Sequence, residues 1–258
     1  PAANRFSDVH ISAGTDSVTV HSLSLRSGRT ALHLSGYAWN LRQFLASATP
    51  APLRMRLIAD IDTLDINDIA YAYFQGVANI HGKEAVTRML ADTTIHSGDS
   101  VAIMIPRNIY ADIMASAART RYTDIVIDRM RGPIHVADGR AKIDSLHIRT
   151  GFANAVASAV YDTRDMQDMG LGLWFDVADL DVARFFGNFP SILAKAPQLE
   201  NLSGTVAVNA SFNAGLFPTM YMLTPSICAD VNLKAIDLSL RKRGVIRTVA
   251  HLMMLHGD

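Results

Sequence analysis

Nine histidines are the first residues to test for chemistry, because neutral imidazole is the commonest metal ligand and the usual general base near neutral pH. They stand at positions 10, 21, 33, 81, 96, 135, 147, 251 and 256, with no His-Glu-x-x-His spacing and no close cysteine partner. His10, His21 and His33 could align across neighbouring strands, and surface polar positions explain that arrangement without a metal. Asp60 with Asp62, and Asp179 with Asp181, sit two apart and would share one strand face, a spacing a glycosidase or a calcium site could use. Asp65 and Asp181 are better explained as caps on the segments that begin after them. Ser97-Gly98 and Ser203-Gly204 read as turn dipeptides, and no Gly-x-Ser-x-Gly elbow occurs. Cys228 is the single cysteine, so there is no disulfide framework, and its neighbours Ile227, Ala229 and Val231 predict a buried small residue. These residues give no catalytic group, no metal site and no cofactor, and the expectation is a protein that is not an enzyme.

The bulk composition narrows the partners. Lys plus Arg and Asp plus Glu are balanced at 24 each, which leaves no net field to attract a polyanion, and nucleic acid is not an expected partner. The basic run Arg241-Lys242-Arg243 reads as a solvated strand end. Apolar residues make up 49% of the chain and charged residues 19%, a balance near the upper edge for an ordinary soluble domain, so some of the apolar surface is expected to lie outside a core. No apolar run reaches the roughly 18 residues that a membrane-spanning helix requires. The chain starts at Pro1 and stops at Asp258 after a Leu/Met-rich stretch, and is expected to be a piece of a larger repeating protein.

The elements that must position these residues are mostly strands. Period-2 alternation runs through Val18 and Val20, Leu32 and Leu34, Met55 to Ile61, Val101 to Ile105, Ile134 and Val136, Leu171 to Val177, and Val206 to Phe212. Turns are expected at Ser27-Gly28, Ser97-Gly98-Asp99, Arg131-Gly132-Pro133, Asp138-Gly139, Thr150-Gly151 and Ser203-Gly204, with Asp138-Gly139 closing a hairpin. Two segments carry a helical period: an insertion at about 75–94, and a stretch capped by Asp181 that ends before Pro190. The segment from Pro190 to Gln198 reads equally as a short helix or a loop.

An internal repeat organises the strands. Ser22-Leu23-Ser24-Leu25-Arg26-Ser27-Gly28 matches Ser145-Leu146-His147-Ile148-Arg149-Thr150-Gly151, and Asp60-Ile61-Asp62-Thr63-Leu64-Asp65-Ile66 matches Asp176-Val177-Ala178-Asp179-Leu180-Asp181-Val182. A weaker echo is Leu233-Lys234-Ala235-Ile236-Asp237-Leu238. The repeat units run over about 17–70 and 122–190, with the echo in 203–240, and the whole of 1–258 reads as one elongated repeat-containing β region. The fold class expected is mainly β: an elongated, curved antiparallel sheet with one or two short covering helices.

The order of pieces from Ile105 to Leu240 resembles the C-terminal region of the AsmA-like family of bacterial envelope proteins, related to the translocation and assembly module proteins. The pieces are Ala111 to Ala117, Tyr122 to Ile127, Met130-Arg131-Gly132-Pro133-Ile134-His135-Val136, Asp138-Gly139 and the long strand to Asp181. Leu202-Ser203-Gly204 and Ile236-Asp237-Leu238 complete the series. The segment from Tyr71 to Thr94 departs from the pattern. The resemblance implies a sheet curled into a gutter with an apolar inner wall, in a periplasmic protein anchored to the inner membrane. It also implies a role in moving phospholipid between the two membranes or in outer-membrane assembly.

The residues expected to line such a groove are the alternating apolar set Leu32, Leu34, Met55, Leu57, Ile103, Ile113, Ile125, Ile127, Ile134, Val136, Leu171, Leu173, Phe175, Val206 and Val208. The same pattern would serve the core of a closed sandwich. The expected partner is a phospholipid or another acyl-chain ligand, and an exposed sheet edge could pair with a second copy. Tyr37, Trp39 and Trp174 keep a carbohydrate-binding or adhesive β-domain as the alternative function.

Overall fold

Alternating sequences of this kind bury one side of each strand, and the chain assembles them into a single open, curved, mainly antiparallel sheet. The computed structural model describes residues 5–46, 51–66, 68, 103–122, 125–217 and 222–240. The helical insertion expected at about 75–94, the Ser97-Gly98-Asp99 turn, Val101 and the Arg241-Lys242-Arg243 run lie outside the described residues.

Eleven strands follow one another in space in the order of the chain. They are β1 (Arg5–Ala13), β2 (Ser17–Ser27), β3 (Thr30–Trp39), β4 (Leu53–Asp65), β5 (Ile109–Tyr122), β6 (Ile125–Ala137), β7 (Arg140–Thr150), β8 (Asn154–Asp162), β9 (Met169–Asp181), β10 (Leu202–Leu216) and β11 (Cys228–Leu240). Every neighbouring pair is antiparallel except β4 with β5, which run parallel. The substantial strand packing is between ladder neighbours, and no second sheet faces this one among the described residues. The edges β1 and β11 do not pair with each other, so the sheet stays open.

Among the described residues, short helices lie at the strand ends: α1 (Leu41–Ala46), α2 (Val182–Asn188) and α3 (Pro190–Lys195), the last followed by a 3-10 turn at Pro197–Asn201. Asp181 caps α2 by accepting a hydrogen bond from the Arg184 N–H at 3.0 Å. Proline in the first turn of α3 removes an N–H that would have no partner there. Phe185 and Phe189 of this segment pack on Phe152 in edge-on contacts, which fastens the helices to the turn between β7 and β8. At the opposite end of β8, Asp162 accepts hydrogen bonds from Arg164 and Arg140, and the two guanidinium groups hold its carboxyl well below the usual carboxylate range. That contribution to stability is complete above the ordinary carboxylate pKa and is lost as the pH falls toward the lowered one.

The Asp138-Gly139 hairpin is a tight two-residue turn in which both residues take positive φ, 46° and 73°. Two other glycine positions differ from expectation. Gly132 and Gly204 are not in turns but inside β6 and β10, at points where the neighbouring backbone comes too close for a side chain. A Cβ on Gly132 would lie 2.5 Å from the Ser145 carbonyl oxygen, and one on Gly204 would lie 1.9 Å from that of Asp237. Both sit beside a one-residue register shift, where the partner strand carries an extra residue and bends.

These shifts fall at related places in the repeated segments. β2 fits the three steps from Val20 to Leu23 against two steps of β3, and β7 fits the three from Ile143 to Leu146 against two of β8. Asp62 in β4 and Ile236 in β11 are skipped by their partners, and Val177 to Leu180 of β9 spans the two steps from Val208 to Val206. The close approach at Gly132 gives a test. Gly132→Ala should lower the unfolding free energy by at least about 2 kcal/mol, because the obstructing atom is backbone. Gly151→Ala, with open space around it, should change it by less than about 1 kcal/mol. Urea unfolding of both variants compares them directly, and equal midpoints would contradict the close packing at Gly132.

Candidate functional site

Successive residues of a strand point to opposite faces, and residues directly opposite in a ladder share a face, so the register fixes which side chains line up. One row can be followed through all eleven strands: Ile11, Val20, Gly36, Leu57, Ile113, Ile134, Ile143, Ala159, Leu173, Phe212 and Ala229. No member is polar. The next row on the other face is Ser12, Thr19, Tyr37, Arg56, Asp112, His135, Lys142, Val160, Gly172, Asn213 and Cys228. The sheet therefore has one face crossed by an unbroken apolar row and another that is largely polar.

Most of the expected lining residues come together on the apolar face. Leu57, Ile113, Ile134 and Leu173 belong to the apolar row itself, and Leu32, Leu34, Met55, Val136, Leu171, Phe175, Val206 and Val208 join it through their ladder partners. Ile127 reaches the same face by pairing with Thr150 and Thr120, which pairs in turn with Leu64. Ile125 begins β6 opposite Tyr122. Ile103 does not belong to the set: it precedes β5 in a stretch without regular structure, where Pro106 has no N–H to give a ladder. Ile103 is instead 55% exposed, and the segment is held through the Ile105 N–H, which donates to Thr163 Oγ1 at 2.9 Å.

Burial follows the two faces. Along β4, Met55, Leu57, Ala59 and Ile61 are half-buried while Arg54, Arg56, Ile58 and Asp60 are exposed. Toward the β11 edge the apolar residues become more open, and Val231 and Leu233 are exposed. Cys228 is exposed too, against the expectation of a buried thiol, because it opens the edge strand and falls in the polar row.

The polar face holds the groups considered for chemistry. The His10 and His21 rings lie 4.7 Å apart; His21 meets Ser12, and His33 meets Ser24 and, at 3.4 Å, Asp62. No group of three or more His, Cys, Asp or Glu side chains is arranged to hold a metal among the described residues. Asp60 accepts a hydrogen bond from Ser116, and Asp179 accepts two from Asn154. Tyr37 and Trp39 stack at 5.2 Å, whereas Trp174 is on β9, six strands away, so the three rings do not form one platform. No family model matches the chain, and no curated protein matches it.

One polar atom is embedded on the apolar side. Thr120 is fully buried, and its Oγ1 has no hydrogen-bond partner among the described residues. Burying a hydroxyl without a partner costs stability. Thr120→Val, which keeps the shape, should therefore leave the urea midpoint unchanged or raise stability by about 1 kcal/mol. A loss of that size would mean that the hydroxyl is satisfied.

Proposed function

We propose that this chain carries an acyl-chain ligand, with phospholipid as the favoured class, along the apolar face of its sheet. The observation that supports it most is the row of apolar residues from Ile11 to Ala229, uninterrupted across eleven strands and faced by no second sheet among the described residues. The closed-sandwich use of the same pattern lacks its opposing layer there.

The energetics suit such a role. Keeping hydrocarbon out of water is worth about 0.8 kcal/mol per CH₂, so a sixteen-carbon chain exposes roughly 13 kcal/mol of unfavourable contact in an aqueous compartment. A strand of thirteen residues, such as β4 or β9, is about 43 Å long at roughly 3.3 Å per residue. Side chains such as Leu57, Ile113 and Leu173 replace water without directional bonds, so a tail can slide past them and headgroup identity matters little. The resemblance to the AsmA-like family agrees with this reading. Under it the protein works in the periplasm, held at the inner membrane, in lipid transfer or outer-membrane assembly, and no step of bond-making chemistry is assigned to it.

A second reading rests on the Tyr37–Trp39 stack, which could bind a sugar ring on the polar face. The two readings separate in one experiment. Native mass spectrometry of the purified chain should show bound phospholipid, and Leu173→Glu or Ile127→Glu should remove it while Arg26→Glu on the other face leaves it. Circular dichroism confirms that each variant is folded. Equal lipid in all three variants, or glycan affinity with no lipid at all, would overturn the proposal.

A further inference from the structure

The polar face carries an arrangement that the proposed lipid role does not use. Arg129 and Arg149 stand directly opposite each other in the β6–β7 ladder, and Arg131 stands opposite His147. Like charges placed this way destabilise a sheet. Several other arginines have partners: Arg140 and Arg164 share Asp162, Arg184 meets Asp181, and Arg54 lies over the Tyr110 ring. Arg129, Arg131 and Arg149 have no hydrogen bond or ion pair among the described residues. Together with His147 they line a concavity of about 430 Å³ on the polar face, whose far side is formed by Asn154 and Asp176.

From this we infer that the concavity is an anion site for a compact phosphate-bearing group. Guanidinium is the side chain best shaped to grip phosphate, because its planar fork donates two hydrogen bonds at once. Three arginines border this one space beside Val156 and Ala178, and their donors exceed what the surrounding acceptors use. Asp176 already accepts from Asn209 at 3.0 Å, and Asn154 donates to Asp179. The size of the ligand is limited by its flanks. On the β5 side, Arg129 and Arg131 border a second concavity that contains Asp60 and Asp62, and Asp176 closes the other side. Carboxylates on both sides repel an extended polyanion such as nucleic acid and leave room for one or two phosphates between them. The phosphate can be a lipid headgroup or a free anion, since both present the same oxygens.

The site lies on the face opposite the apolar one and stands or falls independently of acyl-chain binding. Its test uses pyrophosphate, and separately vesicles of phosphatidylcholine with and without phosphatidic acid, on the wild-type chain and on Arg129→Gln/Arg149→Gln. These arginines are exposed, so the variant should fold. Without anion the variant should melt at the same temperature or higher, because the opposed charges are gone. Pyrophosphate should raise the Tm of the wild type, and its affinity for the variant should be about tenfold weaker. The control Arg54→Gln/Arg56→Gln, with the same charge change at the other end of the face, should bind as the wild type does. Vesicle binding that needs phosphatidic acid and Arg149 identifies a lipid headgroup as the source, and binding of pyrophosphate alone identifies a free anion. No saturable binding of either probe to the wild type, or equal binding by both double variants, overturns the site.

Discussion

The architecture depends on the phase of alternation. A strand has a side-chain period of two, so a slip of one residue sends every following apolar side chain to the wrong face. Here the ladder does slip, in β2, β4, β7, β9 and β11, yet the apolar face is kept. In four of these strands the sequence changes phase at the same point: Val20-x-x-Leu23, Ile61-x-x-Leu64, Ile143-x-x-Leu146 and Val177-x-x-Leu180. Each extra residue in the register is matched by an extra residue in the hydrophobic pattern. The glycines at close approaches serve the same end, since the bent backbone beside Gly132 leaves no volume for a methyl group.

Much of this was legible because it is local. Leu171 to Val177 alternates without a fault, Asp138-Gly139 has the composition of its turn, and Asp181 has the capping group that α2 requires. What escaped the sequence involves a neighbour. Ser203-Gly204 and Arg131-Gly132-Pro133 look like turns in isolation, and only the approach of Asp237 and Ser145 explains why glycine stands inside a strand. Cys228 has apolar neighbours in the chain but belongs to an edge, and edge position is decided by which strands find no further partner. The parallel pairing of β4 with β5 was likewise invisible, because alternation carries no information about strand direction.

The candidate sites divide in the same way. The apolar set could be named residue by residue, and the register carries all but Ile103 to one face. The arginines were missed, although a signal was present. Arg129-x-Arg131 and His147-x-Arg149 put two basic side chains on one face of each of two strands. A balanced total of 24 positive and 24 negative residues conceals them, since net charge does not record which face a charge occupies.

The parallel pairing has a consequence for how the chain acquires its shape. Nine of the ten ladders could zip up antiparallel, each new strand laid against the one just made, which is a fast route because the contacts are local. Between Asp65 and Ile109 the route is interrupted, and the partner strand must come back from the far end before its first contact forms. Closing that longer loop carries a larger entropic cost than a hairpin does. Contact order alone therefore predicts that two meanders, β1 to β4 and β5 to β11, form before the seam between β4 and β5 closes.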